Sequence, residues 1–421
     1  MIKVLAAIVA PPHLSVSGAG RAAEQLSIAL ARHCDITVAS MMGAQMHEAE
    51  ASGIRRVPVK VGLPPMLPWS RIPNRYRTLF YGSDIPAMVR SGQFDLVHLH
   101  NPMPALEMAR IARACREVGV PYVVSTHGFN EIANGTRVYG FGGLRRLAWQ
   151  ALVTRPVHQA VRGAAAVLGL SPADRGIVEA MGFSGAFAVV PNGVPVPGPS
   201  NAGEDAAICT RLGVPARRRG ELTCMFLANH TPNKGLPVLL EAFDGLTCPY
   251  TLIIGGEKRA EIDYRIASAP RRPDQRIIVT GRLSDAEVEA LFRRSDLFVF
   301  PTLADTFPLV VLEAMSHGVP VLASRVGGIP HQLDQASGQL VEAGDARQLR
   351  DAVSMLAARP AQLAQMGRHA KARVARHFTW ENAADRAFAE YEKALEAPSQ
   401  APASAFSVFS AHHALQRGTR A

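Results

Sequence analysis

Apolar runs of four to six residues recur along this chain, separated by longer stretches in which apolar positions return every three or four residues. The first pattern predicts strands buried on both faces, and the second predicts amphipathic helices. Phe94-Asp-Leu-Val-His-Leu-His100, a helical stretch, and Gly119-Val-Pro-Tyr-Val-Val-Ser-Thr-His-Gly128 form one such unit. About two hundred residues later the arrangement returns as Ser295-Asp-Leu-Phe-Val-Phe300, a helical stretch, and Gly318-Val-Pro-Val-Leu-Ala-Ser-Arg-Val-Gly-Gly328. Each copy reads strand, helix, strand, with Gly-Val-Pro stopping the helix. Helical crossovers join parallel strands, and open parallel sheets bind ligands beyond the carboxyl ends of their strands. Two such sheets facing each other would make a cleft.

Around these units the pattern predicts further strands near Lys3 to Val9, Ile36 to Ala39, Ala166 to Leu170 and Ala188 to Val190. A glycine-bearing loop, Ser15 to Arg21, leads into a helix over Ala22 to His33. From Val194 to about Gly220 the chain is rich in Pro, Gly, Ala and Arg and reads as a linker with short helical pieces. A second series follows with strands at Leu222 to Ala228, Tyr250 to Ile254, Arg276 to Val279, Leu297 to Phe300 and Leu340-Val341. Helices are expected over Pro237 to Phe243, Asp285 to Arg294, Ala346 to Ala358, Pro360 to Arg376 and Ala383 to Leu395. The expected organisation is therefore a first domain over 1–195, a linker over 196–220 and a second domain over 221–378. A last helix follows over about 379–395, and a Pro, Ser and Ala-rich tail over 396–421 reads as disordered.

Composition narrows the picture. With 421 residues, 48% hydrophobic and 19% charged, the chain suits two globular cores. Its five cysteines are scattered and lack a Cys-x-x-Cys pair, which argues against a disulfide framework or a structural zinc site and suits a reducing cytosol. The apolar start could pass for a signal peptide, but Pro11-Pro12 follows it and a buried strand is the expected reading. No apolar stretch has the length of a membrane span. The net charge of +10 is concentrated at Arg71 to Arg77, Arg145 to Arg162 and Arg217 to Arg219. The first two clusters interleave Ile72, Tyr76, Phe80, Leu144, Leu147 and Trp149, which suits an anionic membrane surface. No nucleic-acid module is recognisable, and a solvated basic face is the plain alternative.

The densest local chemistry is Asp305-Thr-Phe-Pro-Leu-Val-Val-Leu-Glu313, just after the strand ending at Phe300. Asp305 or Thr306 is expected to cap a helix with Pro308 in its first turn, and the free N–H groups there favour a phosphate. Glu313 lies among apolar helix residues and needs a partner, which a sugar diol could provide. Lys234, in Asn229-His-Thr-Pro-Asn-Lys-Gly235, follows the first strand of the second half, where an ammonium can neutralise phosphate oxygens. His127 ends a strand in the first half. His98 and His100 share one strand face, but no third ligand accompanies them and no metal site is expected.

Taken together, Ser17 to Leu26, Asp95 to His100, Ser125 to Gly128, Val190 to Val194, Asn233 to Gly235, Asp305 to Glu313, Gly327 to Pro330 and Phe378 to Glu381 resemble the retaining glycosyltransferases of family 4. The resemblance extends to about residue 395. It implies an α/β GT-B fold of two Rossmann-like domains, with a nucleoside diphosphate sugar held by the second and a sugar or lipid-linked acceptor by the first. The last helix would cross back to the first domain. The family's pair of acids, with seven residues between them, falls on Asp305 and Glu313, the first being one methylene shorter than glutamate. Lys234 matches the diphosphate lysine, whereas its usual arginine partner falls on Asn229. Arg21 and Arg282 are the substitute cations, and His331 stands where the family usually has Glu.

On this reading His127, Lys234, Asp305 and Glu313 carry catalysis. Asn229, Gly235, Gly281, Arg282, Leu283, Thr306, Phe307, Leu309 and Val310 hold the donor, with the base near Gly281 to Leu283. Gly18, Gly20 and Arg21 form a loop for diphosphate or acceptor. The expected activity is glycosyl transfer with retention of configuration, in cell-surface polysaccharide or glycolipid assembly, without a cofactor or metal, in the cytoplasm or on the inner face of the membrane. Alternatives are a catalytically weakened nucleotide-binding scaffold, motivated by Asn229, Asp305 and His331, and a GT-B epimerase or phosphorylase.

Overall fold

The structure, a computed structural model, describes residues 1–10, 18–42, 53–65, 68–101, 103–127, 129, 132–133 and 142–396. In the first half, β1 (Lys3–Ile8), β2 (Asp35–Ser40) and β3 (Arg55–Val57) precede a small antiparallel ribbon of β4 (Val61–Gly62) and β5 (Gly82–Ser83). β6 (Leu96–His100), β7 (Tyr122–Ser125), β8 (Ala166–Gly169) and β9 (Ala186–Val189) follow. They form one parallel sheet in the order β3-β2-β1-β6-β7-β8-β9. The second half contributes β10 (Leu222–Leu227), β11 (Tyr250–Gly255), β12 (Gln275–Gly281), β13 (Leu297–Phe300), β14 (Val321–Ser324) and β15 (Gly338–Val341). These strands form a second parallel sheet in the order β12-β11-β10-β13-β14-β15. The repeated sequence unit thus has a topological counterpart: β6 to β7 and β13 to β14 occupy equivalent places beside the first strand of each half.

Strand order reverses between β1 and β6 and again between β10 and β13. At such a switch the loops leaving the two neighbouring strands part to opposite faces, which opens a crevice for a ligand. Both crevices lie where the chemistry-bearing loops of the sequence fall.

Parallel strands must be covered on both faces. On one face of the first sheet, Leu5, Val97 and Val124 share a buried core with the helices Ala105–Val118 and Arg155–Arg162. On the other, Val4, Leu96 and Leu168 meet the helices Gly18–Leu30 and Trp380–Glu396. The last helix returns to the first domain because Trp380, Ala383, Ala384, Ala387, Tyr391 and Ala394 recur at helical spacing and bury there.

The helix Asp285–Arg294 and the strand Leu297–Phe300 have the ends their sequence predicts. Other expectations are corrected. Gly18 and Gly20 stand in the first turn of the helix Gly18–Leu30 rather than in a loop before it. The expected helical piece of the linker is Ala202–Arg211, which packs on Asp285–Arg294 and bonds Arg293 through Asp205 at 2.8 Å. β3, β4 and β5 were not anticipated, being two or three residues long and without an apolar run. Ser15 to Ser17 and the expected tail beyond Glu396 lie outside the described residues.

Candidate active site

At the second switch point the loop after β10 meets the loop after β13. Asn233 anchors the contact through its carbonyl, which accepts from Leu303 N at 2.7 Å and Thr302 Oγ1 at 3.0 Å. Pro232–Lys234 is a single 3-10 turn ended by Gly235 at φ +74°, and a Cβ there would lie 1.8 Å from the Pro301 carbonyl oxygen. Only glycine lets the two loops close to this distance without a shift. The closure brings Lys234 Nζ to 2.5 Å from Asp305 Oδ2, with Nζ 5.9 Å from the Phe300 ring centroid.

The helix Leu309–Ser316 begins beside this pair, but not as its sequence suggested. Pro308, not Asp305 or Thr306, is the N-cap, and no side chain caps it. Asp305 is engaged by Lys234 instead, and the Thr306 carbonyl accepts from Gly328 N at 2.6 Å. The first-turn N–H groups of Leu309 and Val310 have no carbonyl four residues back within the helix, so they remain available to an anion. Gln332, which sequence reasoning passed over, is fully buried and donates to the Pro308 carbonyl at 3.0 Å. It fixes the entry to the helix. Phe307 is buried, and Leu309 packs against the core of the first domain.

Glu313 is half-buried in that helix, and no hydrogen bond to its carboxylate is found among the described residues. Burial pushes its carboxyl above the ordinary range; the positive charge of Arg21 opposes this and Asp285 reinforces it. Arg21 reaches from the first turn of Gly18–Leu30 to within 3.9 Å of Asp285 across the cleft. Asp285 itself had no signal in sequence beyond its place at a helix start. Gly281, Arg282 and Leu283 leave β12 next to Gly256, whose N–H donates to the Gly281 carbonyl at 2.8 Å. Asn229 and Arg282 are exposed on the same rim.

In the first domain His127 follows β7 and is buried, its imidazole pushed down to about 4 by desolvation. His100 stacks 5.7 Å from it, and His98 lies 3.7 Å from His100. His98 bonds the Tyr391 hydroxyl at 2.6 Å and Ser125 Oγ at 2.7 Å, and burial with the nearby His127 pushes it down to about 3. Both His100 nitrogens and His127 Nε2 are buried without a hydrogen-bond partner among the described residues. Thr126, before His127, donates to Asp174 Oδ2 at 2.9 Å, which also accepts from Leu170 N at 2.7 Å. Sequence gave no hint of Asp174, because its role depends on a contact across 48 positions. No group of three His, Cys, Asp or Glu able to hold a metal occurs among the described residues.

The structure therefore brings Lys234, Gly235, Asp305, Thr306, Leu309 and Val310 to one crevice and sets Arg21 and Glu313 at its border. The described contacts of His127 are to its own domain. Two parallel α/β domains joined by a returning C-terminal helix define the GT-B class of glycosyltransferases. Residues 16–196 match the model of "Glycosyltransferase Family 4", and residues 221–359 match "Glycosyl transferases group 1". The chain belongs to glycosyltransferase family 4. It is 32% identical over 308 residues to the phosphatidyl-myo-inositol mannosyltransferase of Mycobacterium leprae, covering 72% of this chain and 74% of that protein. It is 31% identical over 222 residues to the D-inositol 3-phosphate glycosyltransferase of Segniliparus rotundus, a match to 51% of this chain and about half (48%) of that relative. The fold is similar to that of Anabaena HepE in complex with UDP and glucose, with a TM-score of 0.69 and 17% identity over 93% of this chain and 100% of that one.

Proposed function

We propose that this glycosyltransferase moves a sugar from a nucleoside diphosphate donor to an acceptor hydroxyl with retention of configuration. The observation that carries the reading is the Lys234–Asp305 pair beside the open N-terminus of Leu309–Ser316, at the switch point of the second sheet. As the glycosidic bond breaks, negative charge grows on the departing diphosphate while the sugar becomes oxocarbenium-like. A preorganised ammonium and the N–H groups of Leu309 and Val310 stabilise that charge where it develops. Lys234 passes from Asp305 to the phosphate, which frees the Asp305 carboxylate for sugar hydroxyls. Glu313 takes the ribose hydroxyls, and Arg21 supplies a second cation from the facing domain in place of the arginine missing at position 229.

The UDP and glucose of the HepE structure support a nucleotide-sugar donor by analogy of fold. The acceptor side belongs to the first domain, with His127 at its edge. The helix Gly143–Trp149 exposes Leu144 by 84% and Leu147 by 61% beside Arg145 and Arg146, which suits docking on an anionic membrane and hence a lipid-linked acceptor. No helix among the described residues is long and apolar enough to cross a membrane, so the reading is peripheral attachment at the cytoplasmic face.

A thermal-shift panel of UDP, GDP, ADP and dTDP tests the donor site. A ligand at a hundred times its dissociation constant should add about 2.7 kcal/mol of stability, so the cognate base should stand out. No shift with any of the four would overturn the reading. Flotation with anionic liposomes at low and high salt tests the membrane, and failure to float in both would remove it.

A further inference from the structure

A cavity of about 270 Å³ opens where three parts of the chain meet: residues 170–172 and 189–191 of the first domain, Phe307 and His331 of the second, and the start of the returning segment at His377, Phe378 and Arg386. Four basic side chains line it, His331, Arg373, His377 and Arg386, and no carboxylate does. Two acids that interact with its basic groups, Asp334 with His377 and Asp174 with His331, are already committed. Asp334 is paired with Arg373 at 3.0 Å, and Asp174 Oδ2 accepts from Thr126, Leu170 and Ser171.

The four basic groups are not equivalent. Arg373 is held by the carbonyls of Gln332 and His331 at 2.8 and 3.1 Å as well as by Asp334, so its charge is fixed in place. Arg386 is exposed and has no ion pair among the described residues. The field they create acts on His377: burial, then Arg373, Arg376 and Arg386, push its imidazole down, with only Asp334 opposing. Phe307 and Phe378, with ring centroids 6.2 Å apart, give the cavity an aromatic wall. A positive pocket with an aromatic wall, and at its mouth an arginine without an ion pair among the described residues, suits a small phosphate monoester carried on a ring.

We propose that this cavity is a second ligand site, separate from the donor crevice, that binds a soluble phosphate monoester through Arg386 and His331 against the Phe307–Phe378 wall. The site bridges both domains and the returning segment, so its occupant favours one arrangement of the two halves. It is coupled to the donor crevice by the loop of residues 301–308. Phe307 on that loop faces the cavity, while Asp305 holds Lys234.

The test is calorimetric titration with phenyl phosphate and inorganic phosphate at constant ionic strength, on the wild type, the double variant Arg386→Gln/His331→Gln, and Lys234→Ala. Arg386 and His331 are both exposed, so the double variant should fold, as far-ultraviolet circular dichroism would verify. Phenyl phosphate should bind the wild type and Lys234→Ala equally, more tightly than inorganic phosphate, and at least tenfold more weakly to the double variant. Loss of binding in Lys234→Ala would place the anion in the donor crevice and overturn the proposal. Equal binding to wild type and double variant would also overturn it, as would no binding to the wild type. Binding of phosphatidate vesicles alone, without phenyl phosphate, would overturn the soluble ligand. None of these outcomes depends on nucleotide binding, so the donor-site reading stands or falls separately.

Discussion

Lys234 Nζ sits 2.5 Å from Asp305 Oδ2, joining the loops that leave the first and fourth strands of the second sheet. The two side chains are 26% and 15% exposed, so the pair is partly shielded and its charge can be handed to a phosphate without a large change in environment. Lys234→Ala should lower turnover on the order of 10²- to 10³-fold, the scale of losing one preorganised charge stabiliser. Its melting temperature should change little, since a partly exposed pair contributes about 1 kcal/mol or less. Steady-state kinetics and thermal unfolding on the same samples check both halves. Unchanged turnover would remove Lys234 from the chemistry and sink this assignment of the site.

Acid should destabilise the first domain through its histidines. His98 and His127 are held neutral down to about 3 and 4, and burial with its neighbours lowers His100 as well. Unfolded histidine titrates near 6.5, so below that pH the unfolded chain binds protons that the folded chain does not, and stability falls as pH falls. A histidine kept fully neutral through this window contributes at most about 1.4 kcal/mol per pH unit. The His127 contribution stops growing below about pH 4, where the folded form protonates too. Urea unfolding at several values between pH 7.5 and 4.5 measures the slope. His100→Gln should reduce it, and an unaltered slope would mean that burial does not hold His100 neutral in the folded protein.

Glu313 has the opposite sign. Its carboxyl is raised in the folded state by burial, so between the unfolded and folded values the native protein holds the extra proton, and stability declines as pH rises through that window. Glu313→Gln should therefore unfold at higher temperature than wild type at pH 8, with the difference vanishing near pH 4, while transfer is lost. A variant less stable than wild type at pH 8 would show that the carboxylate has a cation partner in the free protein.

Two glycines with positive φ should respond differently to alanine. At Gly235 a Cβ would meet the Pro301 carbonyl oxygen at 1.8 Å, whereas at Gly281, φ +79°, nothing lies within 4 Å. Gly281→Ala carries only the backbone cost of about 1–2 kcal/mol. Gly235→Ala must also push two loops apart, which adds on the order of 2 kcal/mol and separates Lys234 from Asp305. Chemical denaturation ranks the two, and equal losses would mean that the loops yield easily.

The sequence by itself determined the parallel sheets and the helices between them, because those depend on apolar periodicity and local stop signals; the return of the last helix was implied only by the family resemblance. The helix Asp285–Arg294 was legible to the residue; its Ser284–Glu287 capping box is a contact within one turn. It also placed Lys234 and Asp305 just beyond strand ends, where open parallel sheets bind ligands, and Glu313 in the helix that follows. Only the tertiary structure decided what those residues do to one another. The Asp305 carboxylate could cap its own helix or meet a lysine 71 positions away, and propensity favoured the local option while loop closure at Gly235 selected the distant one. The approach of Arg21 to Asp285, the bond from Tyr391 to His98 and the basic cavity at Arg386 are likewise contacts between segments hundreds of positions apart. Periodicity carries no information about which distant side chains the packing of two domains will bring within a few ångströms.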